Sequence, residues 1–175
     1  MKAVALAGRR VDAPNSDTPR FPLDAVPAVS ERIEQTLRQL QAGVLVASGA
    51  AGADLLGLEA AQRLGMRTIV VLPFDADRFE RSSVADRPGD WDQRYRRVLA
   101  ASEVDVLGQT FAQDDAAYGA VTKELLARAL CIGGAGETTA VVVWDGASRG
   151  ASDQTARFAQ EARALAIPVV EVSTR

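Results

Sequence analysis

Six short runs rich in Val, Ile, Leu and Ala punctuate the chain: Lys2 to Ala7, Val44 to Ser48, Thr68 to Leu72, Asp105 to Leu107, Thr139 to Trp144 and Pro168 to Val172. Their apolar character is continuous rather than alternating, the pattern of parallel strands covered on both faces. Between them, apolar positions recur at helical spacing. Pro27 to Gln41 offers Val29, Ile33, Leu37 and Leu40; Asp54 to Leu64 offers Leu55, Leu58, Ala61 and Leu64; Trp91 to Ala101 offers Trp91, Tyr95, Val98 and Leu99. Tyr118 to Cys131 carries Val121, Leu125 and Ala129, and Asp153 to Ala166 carries Phe158, Ala162 and Leu165. Strand and helix alternate from end to end, as in βαβ units with right-handed crossovers. The expected fold is α/β: a single doubly wound, Rossmann-like domain over residues 1–175, with a mostly parallel sheet of about six strands flanked by about five helices.

Two connections are longer than this architecture needs. Val11 to Val26 contains Pro14, Pro19 and Pro22, and Asp75 to Asp90 contains Phe79, Ser82, Ser83 and Pro88. Long connections without their own structure are commonly functional or mobile. Both should leave from the carboxyl edge of the sheet, where open α/β folds bind ligands.

Composition narrows the chemistry. The formal net charge is −3, from 20 basic and 23 acidic side chains that are well mixed. That balance supplies no footprint for duplex nucleic acid or an anionic membrane surface. The apolar start at Met1 to Ala7 stops at Gly8-Arg9-Arg10, too short for a signal-peptide core, and no stretch is long enough to span a bilayer. Cys131 is alone, so an internal disulfide is impossible and a reducing, cytoplasmic setting is expected. There is no histidine. Ser-His-Asp and Cys-His nucleophiles, histidine general bases and His-ligated zinc are therefore out, and no metal site is expected.

Candidate binding residues gather after the apolar runs. Ser48-Gly49-Ala50-Ala51-Gly52-Ala53-Asp54 joins a strand to a helix start, where small residues let backbone amides and the helix dipole face an anion. Tight strand-to-helix packing is the alternative use of the same glycines. Trp144-Asp145-Gly146-Ala147-Ser148-Arg149-Gly150-Ala151-Ser152-Asp153 repeats the arrangement, with Gly146, Gly150, Ala151 and Ser152 as contacts and Trp144 as a stacking platform; an ordinary helix cap by Ser152 or Asp153 is the competing reading. Gly8-Arg9-Arg10 leaves the first strand, and a guanidinium there suits a bidentate grip on phosphate, unless the arginines are simply solvated. Phe79 to Val84 either lines the ligand mouth or is a solvated loop. Gly133 to Thr139 contains G-x-G but follows a helix and precedes a strand, the reverse of a dinucleotide fingerprint, and reads as a helix end and connector.

With Ser48 to Leu55, the run Val70-Val71-Leu72-Pro73-Phe74, and Val143-Trp144-Asp145-Gly146 leading to Gly150 through Asp153, the chain resembles the SLOG superfamily, Rossmann-like domains related to the DNA-processing protein DprA and the LOG phosphoribohydrolases. The order of these pieces, with a Pro-rich segment after Gly8, is similar to the version found in bacterial signalling systems. The resemblance implies a sensor of nucleotides or nucleotide-derived signals at Gly8, Arg9, Ser48, Gly49, Gly52, Asp54, Gly146, Gly150 and Ser152. It also implies a signalling effector as partner and leaves room for a homo-oligomer. The LOG stretch PGGxGTxxE is only echoed at Gly133 to Thr139, with no proline ahead of the glycines and Glu137 out of place. Two functions follow: a binding module without catalytic residues or a resident cofactor, holding a nucleotide-like ligand at Gly8, Arg9, Arg10, Ser48, Gly49, Ala50, Gly52, Ala53, Asp54 and the second loop; or a nucleotide N-glycosidase using Glu59, Glu80 or Asp54.

Overall fold

A computed structural model describes residues 1–175. Six parallel strands form one sheet in the order β4-β3-β2-β1-β5-β6: β1 (Ala3–Gly8), β2 (Val44–Ala47), β3 (Arg67–Leu72), β4 (Glu103–Val106), β5 (Thr138–Trp144) and β6 (Val169–Ser173). The chain starts in the middle, winds outward through β2, β3 and β4, then returns to place β5 on the other flank of β1. Ala3 lies opposite both Val44 and Thr138, so the three central strands start level.

Continuous apolar strands are needed because both faces are covered. Val4, Leu6, Leu45, Ala47, Val70, Leu72, Val141 and Val143 point to one core, shared with α1 (Val26–Leu40), α2 (Ala53–Arg63) and α4 (Trp91–Ala100). Ala3, Ala5, Val44, Val46, Ile69, Val71, Ala140 and Val142 point to the other, beneath α5 (Asp114–Gly133) and α6 (Gln154–Ala164). The edge strand β4 is different: Val104 and Val106 are exposed and Glu103 and Asp105 alternate with them.

Three elements depart from the expected ones. The connection Asp75 to Asp90 is not a bare loop, because Ala76–Ser83 forms a helix, α3, giving six helices rather than five. Asp75 caps it by accepting from the amide of Arg78 at 2.9 Å. Only Phe79 and Ser83 of α3 are buried, so no apolar stripe announced it. Helix α5 starts four residues earlier than its apolar periodicity, on Asp114 and Asp115, whose charge favours a helix N-terminus. The segment Val11 to Val26 has only a 3₁₀ turn, Leu23–Ala25, yet it is pinned. Val11 and Phe21 lie in the core, and the Asp12 carboxylate accepts the amides of Arg20 and Phe21 at 3.0–3.1 Å.

No helix is long and apolar enough to cross a membrane.

Candidate functional site

The winding reverses between β1 and β5, and the carboxyl ends of these strands meet the starts of α2 and α6. A switch point of this kind leaves a crevice, since the flanking connections run off in opposite directions. Here it holds a cavity of about 350 Å³. Gly8 ends β1 at its floor; a side chain there would meet the Val143 carbonyl at 2.4 Å and the Ala53 methyl at 2.5 Å. Ser48, Ala50 and Asp54 contribute the wall below α2. Helix α3 adds Ser82 and Ser83, and α5 adds Tyr118 and Thr122. Ser83 and Tyr118 are joined by a 3.0 Å hydrogen bond between their hydroxyls. Arg10, and Arg149, Gln154 and Thr155 from the loop after β5 and the start of α6, complete the lining.

The two helix starts at this crevice handle charge differently. Asp153 precedes α6 and accepts from the amides of Thr155 (3.0 Å), Ala156 (3.3 Å) and Arg149 (2.8 Å). Arg9 is buried beside it, donating to Asp153 at 2.6 Å, to Asp145 at 3.0 Å and to the Ala147 carbonyl at 2.5 Å. Burial alone would push the Asp153 carboxyl up, but the Arg9 guanidinium and the amides outweigh it and hold it at about 2. Asp54, in the first turn of α2, is also buried, yet one oxygen has a long 3.4 Å contact from the Ala50 amide and the other has no partner. Burial pushes this carboxyl up to about 7, against weaker pulls from the Ala50 and Gly8 amides and the charge of Arg10.

Of the sequence candidates, the fold brings Gly8, Arg10, Ser48, Ala50 and Asp54 to the cavity wall. Arg9 is a post that fixes the loop after β5. Gly52 packs against backbone: at φ +114°, its missing side chain would meet the Arg9 carbonyl and the Val11 nitrogen at 2.7 Å. Gly49 sits against Tyr95, and Ala53 donates its amide to Arg9 at 3.1 Å. Trp144 donates its indole N–H to Glu171 at 2.9 Å, and with Gly146, Gly150, Ala151 and Ser152 it lies outside the cavity wall. The loop amides proposed as anion donors are partly engaged already, Ala51 to the Ser83 carbonyl at 3.0 Å and Ala50 to Asp54. Glu59 and Glu80 are held by Arg94 and Arg96 away from the cavity. Tyr118 and Thr122 were invisible as cavity residues because they share α5 with the apolar stripe that packs on the sheet. Arg149 was visible only as part of the second loop.

No family model and no curated protein matches the chain. Among solved structures it is similar to TM1055, a structural-genomics target, with a TM-score of 0.55 and 18% identity over 97% of this chain and 72% of that one. It is also similar to the Moco carrier protein from Chlamydomonas reinhardtii, with a TM-score of 0.52 and 18% identity over 98% of this chain and 75% of that one. The chain shares the Rossmann-like fold of these structures. At these identities the likeness concerns backbone architecture. The chemistry of the cavity wall therefore follows from this chain's own residues.

Proposed function

We propose that the cavity at the carboxyl end of β1 binds a phosphate-bearing, nucleotide-like ligand. The observation that carries the reading is the mixed lining of the cavity, which includes Arg10 and Arg149 together with the carboxyl of Asp54. An anion is repelled by a buried carboxylate and attracted by guanidinium, so the phosphate belongs at the arginine end. Asp54 then faces the sugar or base, where a hydroxyl or exocyclic amine can donate to its carboxyl. Ser48, Ser82, Ser83, Tyr118 and Thr122 add hydroxyls to the lining. The volume suits a small ligand. One neighbour of the same fold is named as a carrier of the molybdenum cofactor, so the scaffold is compatible with small-molecule binding.

Because α3 and α5 both line the cavity, occupancy would tie them together, and a signalling partner docked on either would sense it. Isothermal titration with nucleoside monophosphates of each base tests the reading. Heat is expected for at least one, with about 1–3 kcal/mol of affinity lost in Arg10→Gln. No heat from a folded sample with any of them sinks it.

A second reading is favoured by Asp54 alone: a buried carboxyl near 7, facing a cavity of nucleotide-like polarity, suits the general acid or base of an N-glycosidase. Release of free base from a nucleoside monophosphate, abolished by Asp54→Asn, would establish it. A flat chromatogram retires it and leaves binding intact.

A further inference from the structure

Beside the first cavity lies a basin of about 410 Å³, walled by Arg10, Arg20, Arg87 and Arg149 with Ser16 and Thr18 from the pinned loop. The two spaces share Arg10 and Arg149. The carboxylates available to these arginines are few. Asp12 spends its oxygens on the amides of Arg20 and Phe21, and Asp145 is taken by Arg9 and Arg20. Arg10 and Arg87 share Asp86. The carboxylate nearest Arg149 is that of Asp153, 4.0 Å away and already bound by Arg9.

Arg10 and Arg87 thus share one carboxylate, and Arg149 has only the 4.0 Å approach to Asp153. The Nε atoms of Arg10 and Arg87 are buried without a partner. Arg87 is held below its ordinary value by burial and by repulsion from Arg10 and Arg149, which Asp86 and Asp12 only partly offset. Like charges crowded into a concave, partly desolvated space repel one another until a counter-anion enters. Planar guanidinium forks match phosphate oxygens in pairs.

We infer that this basin is a subsite for a second anionic group of the ligand, so that the site takes nucleotides carrying two or more phosphates, with the inner phosphate at Arg10 and Arg149 and the outer one at Arg87. The inference rests on the nucleotide reading of the first cavity. Adenosine and guanosine mono- and diphosphates, and inorganic pyrophosphate as a separate probe, are titrated into the wild type and Arg87→Gln, with circular dichroism as the check on folding. A diphosphate is expected to bind at least about 10-fold tighter than its monophosphate, and Arg87→Gln to erase that increment without weakening the monophosphate. Arg87→Lys, which keeps charge but loses the fork, should fall between. Equal affinity for mono- and diphosphate, or equal weakening of both by Arg87→Gln, overturns the second subsite and leaves the nucleotide reading standing. Pyrophosphate that binds through Arg87 while no nucleotide binds supports the anion subsite and removes the nucleotide reading. Silence from every probe overturns both.

Discussion

Asp153 at the start of α6 and Asp54 at the start of α2 occupy comparable places on the sheet edge, and each has an arginine from the end of β1 close to it. Asp153 has Arg9, three amides and a carboxyl held at about 2. Asp54 has only the charge of Arg10 without an ion pair, one long contact, an unpartnered oxygen and a carboxyl pushed up to about 7. The arginines mirror this. Arg9 has three acceptors and is buried; Arg10, next in sequence, shares a single carboxylate with Arg87 and opens onto two cavities. A charged pair closed on itself builds structure, whereas groups left short of partners remain available to a ligand.

The largest effect is expected where the closed network is cut. Arg9→Met should cost about 3–5 kcal/mol in denaturant unfolding, because Asp145 and Asp153 would lose their buried counter-charge. A loss below about 1 kcal/mol would mean that Arg9 is no more structural than Arg10. Next comes the open carboxylate. In the unfolded chain Asp54 ionises near 3.8, in the fold near 7, so the unfolded state releases its proton first as pH rises. Each pH unit in that window costs the fold about 1.4 kcal/mol, up to about 4 kcal/mol in total. Asp54→Asn removes the titration, so its stability advantage over wild type should grow from near zero at pH 4 to its full size by pH 8. Parallel pH profiles would erase the contrast between the two helix starts. The smallest effect belongs to Arg10→Gln, whose stability should stay within about 0.5 kcal/mol of wild type. A large loss there would place Arg10 in the framework and take it out of the binding site.

Glycine shows the same division. Gly52 looked like a ligand contact in a phosphate-type loop, but it faces the backbone leaving β1, where Arg10 and Gly52 form an isolated bridge. Gly8 serves both purposes, since it packs against β5 and α2 and also reaches the cavity floor. The sequence marks that backbone passes closely at both positions without saying what passes. Helix α3 was missed for a related reason. With Phe79 and Ser83 its only buried positions, its fold-side signal is one aromatic and one hydroxyl, too little for periodicity to reveal.

By itself the amino-acid order determined the sheet, its parallel direction and five of the six helices. Apolar periodicity is local and additive, so each of these elements can be read from its own residues. Which arginine is free was decided only by tertiary structure. The partners of Arg9 lie 136 to 144 residues further along the chain, and nothing in Arg9-Arg10 distinguishes the two. Availability of a charge depends on the carboxylates that folding brings beside it and on the water it removes, and both are properties of the assembled sheet edge.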